Sequence, residues 1–409
     1  MVYVLSVTGQ PLMPTERYGK VKHLLKQGKA IVKNRCPFTI QLTYTSEAHT
    51  QPITLGVDTG SKVVGLSATT QQKELYASET ALRTDVVKLL STRREFRSAR
   101  RNRKTGYRKP RFSNRRIPEG WLAPSIKQKI NTHIQLVKNV YKILPITSII
   151  VEVASFDIQK IKDSDIAGTD YQEGDQLGFW NVREYILFRD GHICQHCRGK
   201  SKDPILNVHH IESRKTGGDA PSNLITLCET CHKLHHKGEI ELKVKRGNSF
   251  REAAFMGIMR WAFFNQLKEM YSQVSLTYGY ITKNTRIINN LEKSHCVDAR
   301  CITSNPQVKP LNYYFNQKAV RRNNRQLHKA TTNKGGYRKA NQAPKYVHGF
   351  QLFDKVKYDG QEYFVFGRRS SGNFDIRLLD GTKVHAGINY KKLTLIERRK
   401  SILTELKAS

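Results

Sequence analysis

The sequence predicts an α/β multidomain protein interrupted by a small module rich in cysteine and histidine. Three observations predict it. Apolar strands at 53–58, 63–68, 148–153 and 274–281 alternate with helical patterns at 125–143 and 251–270. Residues 181–245 hold half of the 14 histidines and two Cys-x-x-Cys pairs, a composition unlike either flank. Residues 346–397 alternate polar and apolar between turns at Asp359-Gly360, Ser371-Gly372 and Asp380-Gly381, which predicts a small C-terminal β-barrel. At 409 residues the chain is long enough for two or three domains, each with its own core.

The elements follow in order. Residues 1–50 read as a compact basic segment, with a turn at 9–14, a short helix at 20–27 and strands at 30–32 and 38–42. The strand at 53–58 ends on Asp58, and a Gly-Ser turn leads into 63–68, a β-hairpin. Residues 79–91 look helical and run into 93–116, where half the positions are Lys or Arg. In the helix at 125–143, Ile126, Ile130, Ile134, Val137, Val140 and Tyr141 recur at helical spacing. The strand at 148–153 carries Glu152, and residues 155–180 read as irregular. A helix around 285–303 carries Glu292, His295 and Asp298. Residues 316–345 are basic and rich in Asn, Gln and Gly, a composition that orders on binding. No internal repeat is seen.

Lysine and arginine number 70 against 34 acidic residues, a formal net charge of +36. Such an excess repels itself until a polyanion neutralises it, and phosphate backbones do so by releasing counterions. The N-terminus lacks the pattern of a secretory signal, and no run approaches the roughly 18 apolar residues of a membrane span. The expectation is a cytoplasmic, nucleoid-accessible protein with no membrane partner. Its seven cysteines then stay reduced, and their pairing points to metal.

Cys194, Cys197, Cys228 and Cys231 form two knuckles that set four thiolates for a closed, structural zinc site. Between and after them come His209-His210-Ile211, Gly217-Gly218, Asn223-Leu224 and His232. Over about 45 residues this order resembles the ββα-metal module of HNH endonucleases. The resemblance implies His210 as the general base that deprotonates the attacking water. It implies His209 and His232 as ligands of one Mg²⁺, with Asn223 orienting the base or approaching the metal. His236, one turn after His232, is a possible further ligand. His192, His196 and His235 read as surface residues.

Three acidic positions share another context: Asp58 ends a strand, Glu152 lies in one, and Asp298 follows His295 by one helical turn. Two-metal phosphodiester hydrolysis needs such carboxylates converging from different elements on ions about 3.5–4 Å apart. Leu55 to Ser61, Ile150 to Asp157 and Ser294 to Ala299 resemble the three motifs of RuvC-type nucleases of the RNase H fold. Asp157 stays outside the set, because five residues along a strand put it on the opposite face from Glu152.

An arginine-rich segment after the first motif, an HNH module between the second and third, and Pro11-Leu12-Met13-Pro14 near the start together resemble the IscB family. These are transposon-encoded, RNA-guided nucleases ancestral to the type II CRISPR effector, and the resemblance covers essentially the whole chain. It implies a split RNase H-like (RuvC) core with an inserted zinc-containing HNH module, an arginine-rich bridge helix and a C-terminal barrel. The expected division is a PLMP domain at 1–50, RuvC-like parts at 51–78, 121–160 and 246–312, and a bridge helix at 79–120. A linker spans 161–180, the HNH module 181–245, a basic RNA-binding segment 313–345, and a domain that reads the target-adjacent motif 346–409.

Asp58, Glu152 and Asp298 would hold two Mg²⁺, with His295 assisting as an acid or base. Arg93, Arg94, Arg97, Arg100, Arg101 and Arg103 would wrap the bridge helix in charge and contact guide RNA. The expected activity is RNA-guided, Mg²⁺-dependent DNA cleavage, with HNH cutting the paired strand and the RuvC-like site the displaced one. The partners are one structured guide RNA and a DNA duplex with a short flanking motif, around a monomer. A guide-independent HNH/RuvC DNase of homing or junction-resolving type is the alternative. A non-catalytic nucleic-acid-binding protein is a third reading.

Overall fold

The computed structural model describes residues 1–101, 121–153, 182–213, 221–242, 251–322 and 344–408. The chain divides into two compact units. One comprises Met1–Arg116, Leu122–Ser155 and Met259–Ser409; the other comprises Ile117–Trp121 and Phe156–Ile258. The second unit therefore interrupts the first in sequence, over a longer stretch than the 181–245 of the composition shift.

The first unit begins with β1 (Val2–Leu5), β2 (Pro11–Thr15), α1 (Tyr18–Lys26), β3 (Ala30–Asn34) and β4 (Thr39–Leu42), whose sheet has the order β2-β1-β4-β3. Pro11-Leu12-Met13-Pro14 is expected in a turn but lies on strand β2, paired antiparallel with β1. β2 is an edge strand, where a missing proline N–H costs no ladder bond. The turn itself sits earlier, at Gly9 with φ +85°.

The larger sheet adds β5 (Thr54–Asp58), β6 (Val63–Thr69), β7 (Glu74–Ala81), β8 (Ser148–Val153), β11 (Val274–Tyr278), β12 (Tyr313–Ala319) and β18 (Ile402–Ala408), in the order β11-β8-β5-β6-β7-β12-β18. β5 pairs antiparallel with β6 and parallel with β8, and β8 pairs parallel with β11. Leu55, Val57, Val64, Leu66, Ile149 and Val151 are fully buried and by register share one face of this sheet, while the helix His295–Ile302 covers the other at Gly56 and Gly65. Tyr3 joins the two sheets: its hydroxyl donates to Leu75 O at 2.9 Å and its ring meets Tyr76 and Phe315.

Helices α2 (Val86–Arg101), α3 (Pro124–Tyr141), α6 (Arg251–Met270), α7 (Gly279–Ile288) and α8 (His295–Ile302) complete this part of the chain. α3 starts with Pro124, favourable in a first turn, and buries Ile126, Ile130, Leu136, Val137 and Val140. α8 packs on β5 and β6 at a distance that only glycine permits. A Cβ at Gly56 would lie 2.0 Å from the Ala299 carbonyl oxygen, and one at Gly65 2.0 Å from that of His295.

Four sequence expectations need correction. Residues 79–81 end a strand, and the helix begins at Val86; β7 is held between β6 and β12, and that pairing overrides an Ala- and Glu-containing sequence. The single helix expected at 285–303 is two, broken by Asn290 at φ +49° and restarted by Ser294, whose hydroxyl caps the Val297 amide. The strand expected to reach Ile281 stops at Tyr278, because Gly279 opens α7. The segment expected to order on binding starts inside β12, and the chain end returns as β18 beside it.

The C-terminal strands β13 (Lys355–Tyr358), β14 (Gln361–Arg368), β15 (Asn373–Arg377), β16 (Lys383–Asn389) and β17 (Thr394–Glu397) make a five-stranded sheet, β16-β15-β14-β13-β17, around Val356, Val365, Phe374 and Ile376. The β16–β17 pairing that would close the expected barrel is not among the pairings of the described residues.

The second unit holds α4 (Val182–Arg189), β9 (Leu206–His210), a 3₁₀ turn at Pro221–Asn223, β10 (Leu224–Cys228) and α5 (Glu229–His236). β9 and β10 pair antiparallel, with His209 opposite Ile225 and His210 opposite Leu224. Ile225, Leu227 and three of the cysteines make its small core.

Candidate active sites

Asp58, at the end of β5, and Glu152, one residue before the end of β8, lie on neighbouring parallel strands at the same edge of the sheet. α8 brings His295 as its first residue and Asp298 in its first turn. Asp58 and Glu152 are 6% and 9% exposed. His295 Nδ1 lies 2.6 Å from Asp58 Oδ2, and this contact is the largest cause raising the imidazole pKa. Burial raises the Glu152 and Asp298 carboxyl pKa values, and Asp58 raises both further by like charge.

Asp298 and Glu152 each have an arginine beside them. Arg286 Nε on α7 is 2.9 Å from Asp298 Oδ1, and Arg260 Nη2 on α6 is 3.7 Å from Glu152 Oε1. Arg260 Nε also donates to Thr59 O at 3.0 Å, and Thr59 Oγ1 donates to Glu152 O at 2.6 Å, tying the turn after β5 to β8. Gly279 leaves room for Glu152, since a Cβ there would lie 3.2 Å from Glu152 Oε1. Neither arginine is part of the sequence expectation; a lone Arg on an apolar helix carries no signal of its partner. Asp157 lies outside the described residues.

The test of fit for a divalent ion here is Asp298 Oδ1, a buried oxygen with no hydrogen bond, near two other crowded carboxylates. Hard oxygen donors of this kind suit Mg²⁺. The three carboxylates are nonetheless not so tightly gathered as the two clusters of the second unit. Among the described residues, only those clusters bring three or more ligand atoms within 4.8 Å of one another.

The first is Cys194, Cys197, Cys228 and Cys231. All are free thiols, and Cys197 Sγ lies 3.8 Å from Cys228 Sγ. A tetrahedron with Zn–S bonds of about 2.3 Å has edges of about 3.8 Å, so the sulfurs fit zinc. The Ser201 hydroxyl, 3.3 Å from Cys197 Sγ, helps bring that thiol down to about 6, whereas burial raises Cys231. A dication lets all four ionise together.

The second is His209, His232 and His236. Strand alternation turns His209 and His210 to opposite faces, and His209 meets the helix, with its ring 5.1 Å from that of His232 and 5.2 Å from that of His236. Burial, then the neighbouring imidazoles, pushes His209 down to about 4, so it is neutral and ready to ligate. His236 thus joins the pair expected from sequence. Three imidazoles are a donor set for a first-row transition dication more than for Mg²⁺.

His235, expected as a bland surface residue, is half-buried; its ring is 4.8 Å from His209 and its Nδ1 3.1 Å from Ile240 O. His192 and His196 are exposed. The Asn223 amide spans the backbone of Glu212, accepting from its N–H at 2.9 Å and donating to its C=O at 3.0 Å. It fixes the chain two residues beyond His210.

In α2, Arg93, Arg94 and Arg97 are exposed on a helix that extends through Arg100 and Arg101. The side chains of those last two, and all of Arg103, lie outside the described residues. In the C-terminal sheet, Phe350, Tyr363 and Phe364 are core, while Phe366 lies under Arg377 and Phe353 under Arg399.

Residues 2–174 match the RRXRR protein family, and residues 194–238 match the HNH endonuclease family. Anaredoxin of Nostoc sp. is 42% identical over 41 residues, 10% of this chain and 54% of that protein, so the match spans about half of that relative's length. Two crystal structures of Streptococcus thermophilus Cas9 also align. The one in complex with an AGGA PAM gives a TM-score of 0.31 at 15% identity, over 46% of this chain and 26% of that one. The one with an AGAA PAM gives 0.31 at 13% identity, over 62% and 32%. The chain therefore spans a quarter to a third of those proteins. The chain thus carries an HNH endonuclease domain at 194–238, with an RRXRR region ahead of it.

Proposed function

We propose that this protein is an RNA-guided DNA endonuclease with two metal-dependent centres, the HNH module cutting the guide-paired strand and the Asp58 centre the displaced strand. One observation carries the reading: an RRXRR region and an HNH domain share a chain with a second carboxylate cluster on a separate fold. Three antiparallel strands followed by two parallel ones, β7-β6-β5-β8-β11, support an RNase H-like core beneath Asp58 and Glu152. The +36 charge supports a resident polyanion, and exposed Arg93, Arg94 and Arg97 support α2 as a surface for guide RNA.

In the HNH module, Cys194, Cys197, Cys228 and Cys231 would hold a structural zinc, and His209, His232 and His236 a divalent ion. His210, on the other face of β9, would take the proton of the attacking water, and Asn223 holds the turn that sets its position. At the second centre Asp58, Glu152 and Asp298 would hold Mg²⁺. His295, already bonded to Asp58, would move a proton at its free Nε2. Bound divalent ions supply charge stabilisation to a phosphorane-like transition state.

The test is to co-express the chain with the DNA flanking its gene, purify it and sequence the RNA that accompanies it. One abundant structured RNA with a variable end, required for DNA cutting, is the expected result. Metal-dependent cutting with no bound RNA would replace this reading with the guide-independent nuclease.

A further inference from the structure

Each of the three carboxylates of the Asp58 centre is matched with one basic side chain, and the three come from three helices. His295 of α8 serves Asp58 at 2.6 Å, Arg260 of α6 serves Glu152 at 3.7 Å, and Arg286 of α7 serves Asp298 at 2.9 Å. The last pair is unusual in its geometry. Arg286 Nε and Asp298 Oδ1 are close, yet both atoms are buried and neither makes a hydrogen bond. The two atoms are not aligned as a full hydrogen bond, so charge holds the pair without the directional bond that would lock the guanidinium in place. Arg260 differs, because its Nε is anchored on the Thr59 carbonyl and only its tip reaches Glu152.

A divalent ion on Asp298 and a guanidinium on the same oxygen repel one another, so one must leave. An arginine turned out of the carboxylate cluster needs a new anion. The anion that arrives with the reaction is the phosphodiester of the substrate strand, whose oxygens match the guanidinium fork.

We propose that Arg286 is an exchangeable counter-ion: it neutralises Asp298 until metal and DNA arrive, then passes to the substrate phosphate and helps position the strand. Resting on the reading of this centre as a metal-dependent nuclease, it gives Arg286 two opposed effects. It weakens metal binding to the free protein and strengthens engagement of DNA. A side chain that merely held α7 against α8 would favour both.

The experiment uses the full chain and terbium(III), a hard ion that takes carboxylates in preference to imidazole or thiolate. Arg286→Gln is expected to bind terbium roughly tenfold more tightly than wild type, the scale of one charge-assisted contact, with Arg286→Lys close to wild type. In the guided complex, Arg286→Gln is expected to raise the KM for cleavage of the displaced strand, with cleavage of the paired strand by HNH unchanged as the internal control. Unchanged or weaker terbium binding in Arg286→Gln overturns the proposal, as does tighter binding with undiminished displaced-strand cleavage. Terbium binding that survives Asp58→Ala overturns instead the reading of this centre as a metal site.

Discussion

The position of α8, and with it of His295 and Asp298, depends on two hydrogen atoms. Gly56 and Gly65 face the backbone of that helix so closely that a methyl group at either would overlap a carbonyl oxygen. Gly65→Ala should therefore push α8 outward at a cost of about 1–3 kcal/mol, the range of an overpacked core, and carry His295 away from Asp58. Chemical denaturation checks the first effect and displaced-strand cleavage the second; a variant of wild-type stability would show that the helix yields freely. His133 on α3 makes a separate prediction. It is fully buried against Phe263, its Nδ1 lies 2.8 Å from Lys129 O, and burial depresses it to about 4 from the usual 6.5. The folded state prefers the neutral ring, so its contribution is complete above pH 6.5 and is lost as pH falls through 4. The full shift corresponds to about 3 kcal/mol. His133→Phe should flatten the decline of unfolding free energy between pH 7 and 4, and an unaltered pH slope would sink the assignment.

At the scale of elements, the described residues of the second unit hold little apolar mass. Ile225 and Leu227 sit beside Cys194, Cys228 and Cys231, with Ile186, Leu187 and Leu224 also buried, a small core for β9, β10 and α5 to fold around without a metal. Cys231→Ser, or zinc chelation, should release amide protection throughout 182–213 and 221–242 and scatter the histidine cluster. The seven-stranded sheet should keep its protection. Hydrogen exchange checks both halves, and a module still protected without zinc would show the cysteines to be dispensable. This module was also the most legible part of the sequence, because paired cysteines and histidines announce their chemistry through spacing alone. β5, β8, α3 and α6 were legible through apolar periodicity. β7 was not: Glu79, Thr80 and Ala81 are strand residues because β6 and β12 flank them. β12 and β18 were hidden likewise, one read as part of a basic segment and the other at the chain end. In the site itself, acidic residues and histidines could be found by motif. Arg260, Arg286 and the inward turn of His235 depend on which helix faces which strand, and no local pattern records that.

At the scale of the whole molecule, two centres of different donor chemistry lie in two separate units, one of carboxylates and one of imidazoles. Their chemistry is separable in a way that a single site would not allow. Asp58→Ala removes a carboxylate from one centre without touching β9 or α5, and His210→Ala removes the proposed base of the other without touching the large sheet. On a supercoiled plasmid bearing the target, wild type is expected to produce linear DNA, and each single variant only nicked circles. Loss of a general base costs about 10²–10⁴-fold, enough to leave the affected strand intact over an ordinary assay. Mapping the nicks decides more than counting them: they should fall on opposite strands, the guide-paired strand in Asp58→Ala and the displaced strand in His210→Ala. Both variants keep the basic surface unaltered, so RNA retention and its salt dependence should match wild type, which separates lost chemistry from lost assembly. If either variant still cut both strands, one centre would suffice for the whole reaction, and the division of labour between the units would fall.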